Sequence, residues 1–321
     1  MDLIEELYSI LNTLTPALHH WCAAILGEFE IVSDASREHA GLRAAAHLLR
    51  SAHGSFYLKT HQDAAHWHSE THAYEHWATA FGSFAPRLVG VREEAPRALL
   101  ISALPGRVIE NAALSPAEAL AAWRSAGRVL AGLHALPAGP FFGPCKRDGS
   151  PATALRTDAV GTDAVEYITR ELEDWLARGL RISCLTNTEQ SFVRDASALI
   201  PAFTGEPPVA CHRDYCPPNW LVTQTERGWA FSGVIDFEFS RWDVRAADFT
   251  RYPEFDWIAR PALADAFFEG YGRVFTPAEE QQRLFCHLLY ALGALVWGME
   301  NEYFVYAAEG RAALAHLMKL L

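Results

Sequence analysis

Apolar residues change their spacing several times along the chain, and each change marks an element. Leu3, Leu7, Ile10, Leu11, Leu14 and Leu18 recur at helical intervals, so residues 1–27 read as helical. Residues 29–32 read as a strand. Short apolar runs at 44–50 and 55–60 flank Ser51-Ala52-His53-Gly54, a composition suited to a hairpin turn. Helical spacing returns over 67–80. Residues 88–93 and 97–104 then read as two strands around Glu93-Glu94-Ala95-Pro96.

After Pro105-Gly106 the texture becomes mostly helical. Ser115-Pro116-Ala117-Glu118 is a helix start, with Ser at the cap, Pro at the first helical position and Glu reaching back from three residues on. This helix runs to about His134 and stops before Pro137. Further helices are predicted over 163–178 and just before Pro207-Pro208. Residues 209–211, 219–224 and 229–236 read as short strands, the last two joined by Thr225-Glu226-Arg227-Gly228. From 262 onward the chain reads as helical. The apolar run 284–297, interrupted by His287, is shorter than the roughly 20 residues that a membrane span needs, and reads as a buried core helix.

These elements predict an α+β architecture in two lobes: a small strand-rich N-terminal lobe over 1–102 and a larger, mainly helical C-terminal lobe over 103–321. A connector lies near 101–106, and the second lobe carries a small β insertion. A chain of 321 residues that is 50% hydrophobic can bury a sizeable core. Lys and Arg number 27 against 39 Asp and Glu, a balance of −12, which argues against a general binder of nucleic-acid backbones. Cys22, Cys145, Cys184, Cys211, Cys216 and Cys286 form no C-x-x-C pair, so neither a zinc ribbon nor a thioredoxin-like motif is supported. Such scatter reads as the reduced thiols of a cytoplasmic protein. The acidic N-terminus lacks the positive region and small-residue cleavage site of a signal peptide. No membrane partner is expected.

Chemistry concentrates in two stretches. One is His212-Arg213-Asp214-Tyr215-Cys216-Pro217-Pro218-Asn219, an H-x-D-x-x-x-x-N arrangement before a hairpin; the other is Ile235-Asp236-Phe237-Glu238 at the hairpin's far end. Phosphoryl transfer needs little covalent help, so a protein mainly positions groups and neutralises charge. Asp214 would accept an acceptor hydroxyl's proton or orient that hydroxyl. Asn219 offers a neutral oxygen and Asp236 a carboxylate, the ligand types that Mg²⁺ prefers.

With these residues in view, the chain resembles the aminoglycoside phosphotransferase and choline kinase family, whose fold is similar to that of protein kinases. Members commonly read H-G-D-x-x-x-x-N followed by I-D-[FW]-E. Here Arg213 stands where Gly is usual. Val129-Leu130-Ala131-Gly132-Leu133-His134 resembles the family's L-x-x-L-H, and residues 99–106 resemble its hinge. The resemblance implies a nucleotide between the lobes, its base against the Leu100, Ser102 and Leu104 segment. It implies that Lys59, ending the apolar run Phe56-Tyr57-Leu58, meets the phosphates of ATP or GTP, and that Glu70 rather than Glu75 holds Lys59. It implies that Asn219 and Asp236 carry Mg²⁺, that Asp214 is the catalytic residue, and that Asp248 braces the loop of His212 and Arg213. A Gly-rich phosphate loop should lie between the first two strands, but residues 33–41 hold one Gly only, without G-x-G-x-x-G or a Walker A motif.

The implied function is O-phosphorylation of a hydroxylated small molecule, foremost an antibiotic, in resistance or self-protection. A metabolic kinase for choline, homoserine or a sugar keeps the same chemistry. An inactive nucleotide-binding module is the third reading, motivated by the Gly-poor loop. A protein kinase fits worse, because D-F-G and A-P-E are absent. His61, His66, His68, His72 and His76 form a dense group, expected to be an exposed face rather than a zinc site. Trp242, Trp257, Trp297, Tyr290 and Tyr303, with Asp243, Asp256, Glu300 and Glu302, would suit a cationic or sugar-bearing acceptor. The competing expectation is that these aromatics are core and these acids solvated surface.

Overall fold

The computed structural model describes residues 14–34, 44–152, 162–250 and 260–320. Residues 1–13 of the predicted first helix, most of the 33–41 loop, Asp256 and Trp257 lie outside the described residues. The chain divides into two compact units, one of residues 1–67 with 86–103 and one of residues 68–85 with 104–321.

The first unit is a helix on a five-stranded antiparallel sheet. Helix α1 (Pro16–Leu26) starts where the Thr15 hydroxyl accepts the Leu18 amide at 3.3 Å and Pro16 takes the first helical position. Its inner face, Leu18, Cys22 and Leu26, packs on Leu49, Phe56, Leu58, Ala98 and Leu100 of the sheet. The strands are β1 (Phe29–Asp34), β2 (Ala44–Ser51), β3 (Gly54–His61), β4 (Leu88–Arg92) and β5 (Arg97–Ser102), in the order β1-β2-β3-β5-β4. The β2–β3 hairpin turns where its sequence predicts, with Ser51 opposite Gly54. Side chains alternate across a strand. Phe56 and Leu58 therefore turn toward α1, while Lys59, opposite Ala46 and Leu99, turns to the other face and stays half-buried.

The predicted helix over 67–80 is composite. Helix α2 (Ala64–His72) passes into a π-helical turn, Ala73–Trp77, and then a 3-10 stretch, Ala78–Phe84. The second unit holds helices α3 (Pro116–His134), α4 (Ala164–Arg181), α5 (Asn187–Asp195), α6 (Pro261–Tyr271), α7 (Pro277–Glu300) and α8 (Phe304–Leu320). Both halves of the Ser115–Glu118 capping box form at the start of α3. Glu118 also accepts the Trp229 amide at 2.8 Å, which fixes that helix end to a strand. The apolar run of α7 lies in the core as expected, with Leu288, Leu292, Leu295 and Val296 buried among Phe142, Tyr167, Phe203, Phe285 and Leu314. Among the described residues, no helix is long and apolar enough to cross a membrane.

Helices α3 and α6 touch backbone to backbone. A methyl group at Gly127 would overlap the Phe267 carbonyl, and one at Gly270 would overlap the Arg124 carbonyl. Two small sheets complete this unit. Strands β6 (Arg107–Val108), β8 (Trp220–Thr225) and β9 (Gly228–Val234) form one in the order β6-β8-β9, and β7 (Val209–Cys211) pairs with β10 (Arg241–Asp243) in the other. The loop between β7 and β8 and the segment after β9 leave from these sheets, and both carry the residues singled out for chemistry.

Candidate active site

Residues 212–219 connect β7 to β8 and form a loop held from both sides. The Asp248 carboxylate accepts the His212 amide at 2.8 Å and the Arg213 amide at 2.5 Å. Asp248 also accepts His134 Nε2 at 3.1 Å, while Tyr271, itself receiving Arg245 Nη1 at 3.1 Å, meets His134 Nδ1 at 2.8 Å. With Arg245 donating to the phenol oxygen, the phenol hydrogen goes to Nδ1, and Nε2 carries the proton given to Asp248. Burial pushes the His134 imidazole below its ordinary range. Burial works to raise the Asp248 carboxyl, but the His134 hydrogen bond and the charges around it hold it low. Asp248 is thus an anion in the core, satisfied by three donors.

His134, Cys211 and Asp248 also lie close enough together to hold a metal ion. The donor set does not suit one. The His134 and Asp248 atoms are committed to each other, and burial keeps the Cys211 thiol far above its ordinary range, hence protonated.

Position 213 has φ of 66°, the left-handed region that favours glycine. That is a physical reason for Gly in the resembling motif, and this chain places Arg there instead. The Arg213 side chain compensates with an ion pair, its Nε 3.2 Å from Asp243 Oδ2. Asp243 is buried and also accepts Tyr167 Oη at 2.9 Å and the Val244 amide at 2.7 Å. Burial opposes the charge on Arg213, and the Asp243 carboxylate overrides it, holding the guanidinium above its ordinary range.

His212 is fully buried. Its Nδ1 accepts the Asp214 amide at 3.2 Å, so the proton sits on Nε2, which donates to the Ile235 carbonyl at 3.2 Å. Burial lowers its pKa, against the pull of the Asp248, Asp214 and Asp236 carboxylates gathered around it. The neutral ring thereby joins the 212–219 loop to the segment that carries Asp236.

Asp214 sits at the centre of the loop. Asn219 Nδ2 donates to Asp214 Oδ2 at 2.9 Å and to the Asp214 carbonyl at 3.0 Å, and Cys216 Sγ donates to Oδ1 at 3.3 Å. Asn219 is buried, and among the described residues its Oδ1 has no hydrogen-bond partner. Pairing of Trp220 with Val234, and of the Ile235 amide with the Asn219 carbonyl at 3.0 Å, brings Asn219 and Asp236 to one end of the β8–β9 ladder. Asp236 is itself left-handed, with φ of 73°. Phe237 anchors it, its ring 4.7 Å from His212, 5.0 Å from Tyr74 and 5.2 Å from Phe81. An orphaned amide oxygen and a half-buried aspartate at the same end of one ladder fit a hard, oxygen-seeking divalent cation such as Mg²⁺.

The remaining expected residues are placed as follows. Lys59 lies on β3 in the first unit. Glu70 lies on α2 in the second unit and is fully buried, whereas Glu75 is taken by Arg147, which approaches both its oxygens at 2.7–3.1 Å. Leu100 turns its side chain into the α1 core. The Ser102 hydroxyl accepts the Arg87 amide at 2.9 Å, and Leu104 lies beside Gly233.

The histidine group is not the exposed face its spacing suggests. His61, His66 and His72 are buried. His68 Nδ1 accepts the Arg147 amide at 3.3 Å, and His72 Nδ1 meets the Arg147 carbonyl at 3.1 Å. These rings fasten the 143–151 segment, 75 or more residues away, and no sequence period encodes that. Of the acids considered for an acceptor, Asp243 is committed to Arg213, and Glu300 to Arg178 and Arg181. Neither is solvated surface. The contact that sequence reasoning missed is Cys216 on Asp214, because a thiol two residues along gives no signal until the turn closes.

Comparison with known proteins places the fold among solved phosphotransferases. The structure is similar to a thermostable mutant of aminoglycoside phosphotransferase APH(4)-Ia in ternary complex with AMP-PNP and hygromycin B, with a TM-score of 0.71 at 16% identity over 94% of this chain and 98% of that one. It is similar to the GDP and kanamycin complex of an APH(2") enzyme, with a TM-score of 0.66 at 14% identity over 95% and 99% of the two chains. A gentamicin complex of APH(2")-IIa gives a TM-score of 0.60 at 12% identity, covering 94% and 96%. No curated protein matches the sequence significantly. The family model described as "Phosphotransferase enzyme family" matches residues 37–284, most of the chain and all of the 212–219 loop, and the chain belongs to that family of small-molecule phosphotransferases, with its kinase-like α+β fold.

Proposed function

We propose that this enzyme transfers the terminal phosphoryl group of ATP or GTP to a hydroxyl of an aminoglycoside-type antibiotic. The observation that carries the reading is the Asp214–Asn219 pair, a carboxylate held by an amide whose own oxygen is buried and unpartnered. In the transfer, Asp214 accepts the acceptor hydroxyl's proton as that oxygen takes the phosphoryl group and the nucleoside diphosphate leaves. Asn219 has two tasks. Its Nδ2 fixes Asp214, and its Oδ1, with the Asp236 carboxylate, would hold Mg²⁺. The ion, when bound, neutralises phosphate charge and orients the phosphates. Lys59 is assigned to the donor's phosphates, and buried Glu70 to support of the same step. The neutral His212 and anionic Asp248 keep the loop shape without entering the reaction.

Support for the acceptor class comes from fold neighbours solved with hygromycin B, kanamycin and gentamicin, and for the donor class from neighbours solved with AMP-PNP and GDP. The test is a screen with γ-labelled ATP and GTP against aminoglycosides, choline, homoserine and simple sugars. Label transfer to an aminoglycoside is the expected result. Transfer only to a small metabolite would replace the antibiotic reading with a metabolic one.

A further inference from the structure

We propose that Cys216 is a positioning residue for the reaction, holding the Asp214 carboxylate in one plane through its thiol. The inference rests on the proposed role of Asp214. An aspartate carboxylate rotates in a broad, two-fold well, so one donor on one oxygen leaves its plane poorly fixed. Here each oxygen has its own donor from the same short turn. Asn219 Nδ2 reaches Oδ2 at 2.9 Å, and Cys216 Sγ reaches Oδ1 at 3.3 Å. The same thiol reaches the Asp214 carbonyl at 3.4 Å, so its one hydrogen is shared between that carbonyl and Oδ1.

The turn makes the two contacts interdependent. The Cys216 carbonyl accepts the Asn219 amide at 2.8 Å, closing Cys216-Pro217-Pro218-Asn219 into one 3-10 turn. Two successive prolines fix φ at Pro217 and Pro218. Donor Sγ at one end of the turn and donor Nδ2 at the other therefore bracket one carboxylate. Cys216 is buried, so the contact is sheltered from water, which strengthens even a weak S–H donor to a charged acceptor. Cys211, five residues earlier on β7, instead reaches the Val244 carbonyl at 3.6 Å.

The experiment compares Cys216→Ser, which keeps a donor, with Cys216→Ala and Cys216→Val, which bracket the thiol's volume without one. Crystal structures of each read the Asp214 carboxylate directly, and hydrolysis of ATP and GTP by water, which needs no acceptor, reads turnover. The Ala and Val variants should both lose about fivefold in kcat, the size of one weak hydrogen bond to a charged group. Their KM for nucleotide should stay within about twofold. Their Asp214 carboxylates should be rotated or split over two positions. The Ser variant should recover most of the turnover and the native plane. Cys216→Ala with native turnover and an unmoved carboxylate would overturn the inference, as would a Ser variant no better than Ala. Asp214→Ala measured alongside separates the two readings. If it retains turnover, the proposed role of Asp214 fails. If it is inactive while Cys216→Ala is unaffected, only the role of Cys216 fails.

Discussion

Arg213 is an L-residue at a left-handed position, and replacing it with glycine sets two effects against each other. Glycine relieves a backbone strain of about 1–2 kcal/mol. It also enlarges the freedom of the unfolded chain, which costs about 0.5–1 kcal/mol. The backbone effects together leave about 0.5–1 kcal/mol in favour of glycine. Against that stands the Asp243 carboxylate, 2% exposed, losing a guanidinium 3.2 Å away. Removing one partner of a fully buried pair costs about 3–5 kcal/mol. The Arg213 side chain is 28% exposed, and Asp243 keeps its bonds from Tyr167 and Val244, so the lower part of that range applies. Arg213→Gly should destabilise the enzyme by about 2–3 kcal/mol, a fall in Tm of about 3–5 °C for a chain of 321 residues. Asp243→Asn should cost less in the Arg213→Gly background than alone, a coupling that a double-mutant cycle by urea denaturation measures. A rise in Tm for Arg213→Gly would refute the reasoning, since strain would then outweigh the ion pair.

Three further outcomes follow from the geometry. Gly127→Ala should destabilise by about 2 kcal/mol or more although alanine is the better helix former, because its methyl meets the Phe267 carbonyl; a calorimetric Tm at or above the wild type's would contradict the close α3–α6 contact. Burial holds the imidazoles of His72, His134 and His212 below their ordinary value of 6.5, so the unfolded chain binds more protons than the folded one as pH falls through that value. Their contribution to stability is present above pH 6.5 and is lost below it, with a slope of up to about 1.4 kcal/mol per pH unit per histidine; urea midpoints flat between pH 7 and 5 would refute this. Lys59→Met should weaken nucleotide binding about tenfold, about 1.4 kcal/mol, measured as lost thermal protection by ATP or GTP, and unchanged protection would remove Lys59 from the donor site.

Much of this molecule is written locally. The Ser115–Glu118 box, the Ser51–Gly54 turn and the apolar period of α7 each lie within a few residues of chain, and each forms where the spacing predicts. The order His212, Asp214, Asn219, Asp236 is equally visible, since a loop and the next hairpin fix those separations. What is hidden depends on distant partners. Glu75 is committed to Arg147, 72 residues away, and Asp243 to Tyr167, 76 away. The histidines of α2 look solvated on a helical wheel, yet His68 and His72 bond a segment that arrives from beyond α3. Strands β6 and β10, of two and three residues, are too short to leave a period. Gly127 and Gly270 show no motif either, because their purpose is the meeting of two helices 143 positions apart.

The central claim is that Asp214 takes the proton from the acceptor hydroxyl while the loop around it serves as a rigid mount. The most direct measurement is label transfer from γ-labelled ATP and GTP by the wild type and by Asp214→Asn, with hygromycin B and kanamycin as acceptors, alongside nucleotide protection and Tm for both proteins. The wild type should transfer label and the variant should lose about a hundredfold or more, with nucleotide binding and Tm nearly unchanged. Transfer by Asp214→Asn at the wild-type rate would contradict the claim.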